Sequence, residues 1–150
     1  MPIEPKFKQA DVKARVDKFI EVIVKRQIIY MQALGEECVN EARTHKTYTV
    51  QTGALSSSTG YIVFLDGVAV HENFEAVLGN TEGVKVGQNL AHKVAQNYKN
   101  GVLLVVVAGM NYAIHLEAKG YNVLTSAELY AKKEMPAIVE KLKRAINEVT

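Results

Sequence analysis

The chain has one cysteine and three prolines, and each scarcity removes a class of protein. A lone Cys38 cannot form an internal disulfide. It falls within a helical apolar pattern, which predicts a buried small hydrophobe in a reducing compartment rather than a reactive thiol. So few prolines, with 48% hydrophobic and 23% charged residues, rule out a largely disordered or low-complexity chain. The longest apolar run, residues 102–108, is less than half of what a membrane-spanning helix requires. Residues 1–8 are polar and proline-bearing, with no apolar core of a signal peptide, so the expected location is the cytoplasm in which the chain is made. Eighteen basic against sixteen acidic side chains leave a formal charge of +2, too little excess for a dedicated nucleic-acid binder.

Motifs of chemistry are equally sparse. His45, His71, His92 and His115 fall on different predicted elements and in no metal-ligand spacing, so neither a metal nor a cofactor is expected. Ser56, Ser57 and Ser58 lack the G-x-S-x-G frame of a nucleophile elbow and read as a flexible linker. The glycines between 79 and 87 match no phosphate-binding loop. Two readings of chemistry survive. His115 and Glu117 lie two apart in a predicted strand and would share a face as an acid/base pair of a small enzyme. Lys132, Lys133, Lys141, Lys143 and Arg144 would give the last helix a basic face able to touch nucleic acid, although Glu134, Glu140 and Glu148 dilute it.

What is present is patterning over the whole of residues 1–150, at a length suited to one domain. Residues 1–7 are expected to be flexible. Val12, Val16, Phe19, Ile23, Tyr30, Leu34 and Cys38 recur at helical intervals and predict a long helix over about 8–44, longer than a small core is wide. Gly35 inside it marks a bend or a close contact. Residues 51–60 and 73–83 lack a period and are expected to be mobile loops, the first with one helical turn capped by Thr52. Between them, residues 61–65 and 68–71 form a hairpin on Asp66-Gly67, a type I′ turn signal. Residues 84–99 read as an amphipathic helix, 102–108 as a central strand buried on both faces, and 112–118 as its hairpin partner. Thr125 to Glu128 has the form of a capping box opening a last helix, which Pro136 either kinks or restarts. The fold predicted is α+β: a long N-terminal helix, an antiparallel sheet of about four strands, and middle and C-terminal helices packed on one face.

Several short segments together resemble a known family. They are Gly35-Glu36-Glu37 and Ala42-Arg43 late in the long helix, Thr52-Gly53-Ala54-Leu55 in the loop after it, Tyr112-Ala113-x-x-x-Glu117, Gly120 and a closing helix. Over roughly residues 30–146 this set resembles the gene-product-ten-like tail-completion proteins, the neck or minor tail proteins of long-tailed bacteriophages. The family commonly has Pro-Val-Asp before its Thr-Gly, where this chain has Thr49-Val50-Gln51. The resemblance implies a structural virion-assembly protein with no enzymatic activity and no cofactor. Its implied partners are further copies of itself in a ring, commonly sixfold, together with the head connector and the tail tube or tail terminator. Its implied location is the host cytoplasm during assembly and then the virion neck or tail. Thr52, Gly53, Leu55, Tyr112, Ala113, Glu117 and Gly120 are the residues it marks for assembly. Neither membrane contact nor specific nucleic-acid recognition is expected, given the short apolar runs and the small net charge.

Overall fold

A computed structural model of the chain describes residues 9–110 and 113–149. The N-terminal segment 1–7, Tyr112 and the side chain of His115 lie outside the described residues. The elements in chain order are α1 (Gln9–Thr44), α2 (Ala54–Ser57), β1 (Thr59–Leu65), β2 (Val68–Phe74), α3 (Thr81–Ala95), β3 (Val102–Ala108), α4 (Ala113–Ala118) and α5 (Thr125–Val149). The class is α+β, with the long N-terminal helix, an antiparallel sheet and a C-terminal helix.

The sheet has three strands, not four, in the order β2-β1-β3, and both pairings are antiparallel. Val102–Ala108 is therefore an edge strand, and β1 is the central one. The uninterrupted apolar run of β3 reflects the expected cover on both faces, which this strand has without being central. Tyr61 and Val63 of β1 pack with Val39 of α1 and with Leu104 and Val106 of β3. Ile62 and Phe64 pack with Ala91 and Ala95 of α3 and with Val105 and Val107. Helices thus lie on both faces of the sheet, and the expected single helical layer is replaced by α1 and α5 on one side and α3 on the other.

The strand expected over 112–118 is the helix α4. Ala, Leu and Glu favour a helix, and Ala113 and Leu116 stand three apart, the spacing that puts both on one helical face. Both pack into the cluster around Tyr48, Leu55 and Val123, while Ile114 is 78% exposed. A seven-residue stretch satisfied both periods, and packing chose the helical one. The hairpin turn is as expected: Asp66 (φ 50°) and Gly67 (φ 85°) both occupy the left-handed region that a type I′ turn requires. Asp66 also accepts a hydrogen bond from the Gly101 N–H at 2.8 Å through Oδ1, tying the turn to the start of β3.

At 36 residues α1 is about 54 Å long, and its two halves differ. The second half is embedded. Leu34, Cys38 and Ala42 face α5, whereas Val39 faces the sheet. Gly35 is the close contact: a Cβ there would stand 2.6 Å from Cδ2 of the fully buried Tyr61. In the first half Val12, Val16 and Ile20 are exposed. Helix α5 runs through Pro136 without a break. Helix α3 starts at Thr81, earlier than its apolar period suggests, because Asn80 Oδ1 caps the Gly83 N–H at 2.9 Å. Among the described residues no helix is long and apolar enough to cross a membrane.

Candidate functional site

The two motif segments, some sixty residues apart in the chain, meet at one end of the sheet. Leu55 and Ala113 share a buried cluster with Tyr48 and Val123. Beside it lies a surface groove of about 600 Å³ lined by residues 48–56 together with Leu116, Lys119 and Tyr121. Thr52 is on its rim, where Thr52 Oγ1 accepts from the Ala54 N–H at 3.2 Å. Gly53 (φ 80°) lies so close under the chain that a Cβ would stand 2.1 Å from the Val77 carbonyl oxygen, a position only glycine fits.

Glu117 anchors α5. Its Oε1 accepts from the N–H groups of Val123 at 3.0 Å, Leu124 and Thr125 at 3.2 Å, and its Oε2 accepts from the Thr125 hydroxyl at 2.7 Å. A carboxylate is thereby set on the N–H groups at the start of a helix, where the helix dipole and the free amides both favour negative charge. Burial pushes the Glu117 carboxyl upward, but these donors outweigh it and hold the group below its ordinary value. The capping box expected at Thr125 and Glu128 does not form. Thr125 gives its hydroxyl proton to Glu117, and Glu128 pairs with Lys132 at 2.9 Å. Gly120 (φ 88°) ends α4 in a Schellman turn, with Tyr121 N–H donating to Leu116 O at 3.0 Å and Gly120 N–H to Glu117 O at 3.1 Å.

The acid/base reading of His115 and Glu117 does not fit this geometry. Residues two apart on a helix are separated by about 200° around its axis and share no face. The Glu117 carboxylate is also already taken up by four donor groups. Nor are the three serines a linker. Ser56 shares a 3.0 Å hydrogen bond with Tyr48, Ser57 Oγ accepts from Val77 N at 2.7 Å, and Ser58 Oγ accepts from Gly109 N at 3.1 Å and donates to Leu55 O at 2.7 Å. All three serines are buried, and Ser57 and Ser58 take the place of missing backbone partners around α2.

A second polar cluster clasps α1 to the β1–β2 pair, and it involves Glu36 and Arg43 from the resemblance. Glu36 accepts from the Tyr61 hydroxyl at 2.7 Å and from Asn73 Nδ2 at 2.9 Å. Burial raises the Glu36 carboxyl, and the Tyr61 and Asn73 donors more than offset it, so the group is held below its usual range. The Tyr61 phenol is pushed up by burial and by its carboxylate partner. Arg43 Nη1 reaches Glu75 at 3.1 Å and its Nη2 donates to Thr59 O at 3.2 Å, while its Nε and His71 Nε2 are buried without a protein partner. Further along α1, Tyr130 of α5 donates to Glu37 at 2.7 Å, which raises the phenol to about 12. Burial, with Glu37 and Glu41 nearby, pushes the Cys38 thiol up to about 11, so the inert reading of this cysteine fits its setting. No pattern of spacing in the sequence pointed to Glu36, Asn73 or Tyr61, because their meeting depends on the register of β2 against β1.

Among the described residues no group of histidine, cysteine or carboxylate side chains is placed to hold a metal ion. Of the five cations of α5, Lys132 and Lys143 pair with Glu128 and Glu140 on the same helix. Comparison with known proteins returned no match, whether to a family model, a curated protein or a solved structure.

Proposed function

We propose that the chain is a structural assembly subunit, a tail-completion or head-to-tail neck protein of a long-tailed bacteriophage that works as one copy of a ring, commonly sixfold. The observation that supports this best is what the motif residues do. Gly53, Leu55, Ala113, Glu117 and Gly120 set backbone and helix ends around one cluster, and Glu36 and Arg43 do the same for α1 on the sheet. Their donors and acceptors are spent on this chain's own framework. Such residues maintain a shape to be recognised by neighbours, as an assembly subunit requires. The groove that Thr52 borders and the exposed first half of α1 are surfaces on which copies, the head connector and the tail tube or terminator would dock, with the protein passing from the host cytoplasm into the neck or tail.

Deleting the gene from the phage or prophage that carries it, then imaging the particles, tests the proposal. The expected result is DNA-filled heads and separate tails, with joining restored when the purified protein is added back. Normal joined particles after deletion would overturn it.

A further inference from the structure

The outer edge of β3 is an unguarded strand, and its register shows which groups it offers. Gly109 N–H donates to Ser58 O and Asp66 N–H to Gly101 O, so the opposed pairs 58/109 and 66/101 are the hydrogen-bonded kind. Bonded and non-bonded pairs alternate in an antiparallel ladder. With the observed register, Leu103, Val105 and Val107 therefore turn their backbone groups toward β1. Val102, Leu104 and Val106 turn theirs outward, and among the described residues no partner meets them. The side chains of these same three residues line an apolar groove of about 490 Å³ with Met31, Ala131 and Met135.

The opposite edge of the sheet is protected in the ways natural sheets use. Strand β2 carries a bulge opposite Val63 and Phe64, and Glu72 stands exposed upon it. Strand β3 has no bulge, proline or glycine, and no charged residue occurs from Gly101 to Met110. A flat apolar edge of this kind in a stable protein is a pairing surface.

We infer that β3 pairs antiparallel with β3 of a second copy across a two-fold axis at Leu104, joining two sheets into one of six strands. This register sets Val102 against Val106 of the other copy and Leu104 against itself, and satisfies the outward groups with about six backbone hydrogen bonds. The edge strand is self-complementary: it is uncharged, and Glu128, the carboxylate in the flanking groove, is paired with Lys132 at 2.9 Å, whereas β2 would bring the Glu72 carboxylate against an apolar strand. A standard interface engages about 20–30 residues a side, more than one strand supplies. The groove, whose wall includes Ala131 and the 38% exposed Met135 of α5, flanks the seam and extends the contact. This contact is isologous and does not rest on the phage reading, whose ring contacts are head to tail.

Sedimentation equilibrium on the full chain, at concentrations from about 1 to 100 μM, tests the inference. A dimer is expected, and Leu104→Lys is expected to weaken it at least tenfold with an unchanged circular dichroism spectrum. Val70→Lys on the opposite edge is the control and should leave the dimer intact. Because Leu104 also packs against the cluster of Val39, Tyr61 and Val63, a second probe uses Cys38→Ala with Leu104→Cys and a short bis-maleimide, expected to couple two chains. A monomer throughout the range, or a dimer that neither responds to Leu104→Lys nor couples through position 104, would overturn the inference while leaving the gene-deletion test untouched.

Discussion

Glu117 shows how one side chain can tie together segments that the sequence keeps apart. It lies on α4, yet its acceptors order the linker at Val123 and Leu124 and the first turn of α5. Glu117→Gln keeps the size and removes the charge, and it is expected to lower stability by about 1–2 kcal/mol, read as a shift in Tm. The pH dependence has a defined sign. Glu117 and Glu36 are both held below their ordinary value of 4.5, so their stabilisation is present above that value in the unfolded chain and is lost as pH falls through the folded values. Urea titrations between pH 3 and 7 should show stability falling below about pH 4.5. The fall should be shallower in Glu117→Gln, and an unchanged profile would remove the carboxylate from this role. Gly53→Ala combines a left-handed φ with a collision against the Val77 carbonyl oxygen, and is expected to cost about 2–5 kcal/mol. The Thr-Gly pair was visible in the sequence, but this reason for the glycine was not, because Val77 approaches it from a distant part of the chain.

The elements the sequence identified best are those whose period is long. Helices α1 and α5 each supply many turns of evidence, and the β1–β2 hairpin carries its turn signal in Asp66-Gly67. Short segments fared differently. Residues 51–60, expected to be a mobile loop, contain α2 and the beginning of β1, and residues 55–60 are buried. Serine, threonine and glycine look loop-like in sequence because they lack apolar bulk, yet here their small size lets α2, α3 and β1 approach. A Cβ on Gly87 would stand 2.4 Å from the Ser58 carbonyl oxygen. Hydrogen exchange on the free protein is therefore expected to be slow at residues 57–60 and faster at 51–52. Fast exchange throughout 51–60 would return the segment to the mobile loop that its composition suggests.

At the scale of the whole molecule, the two halves of α1 should respond differently to substitution. Val16→Ser in the exposed half is expected to change stability by less than about 0.5 kcal/mol, whereas Val39→Ala against the sheet is expected to cost about 1–3 kcal/mol. Thermal melts of both variants check this, and equal shifts would mean that the first half of α1 is supported by contacts beyond the core. The sequence by itself determined the α+β class, the long helix, the first hairpin and the buried inert cysteine, because each follows from a local period, a turn dipeptide or a hydrophobic pattern. Only the tertiary structure decided that the sheet has three strands with β1 at its centre, that 113–118 is helical, and that Glu36 and Glu117 serve as anchors between elements. Strand order and anchoring depend on which surfaces meet, and an apolar run reads the same in a central strand as in an edge strand covered on both faces.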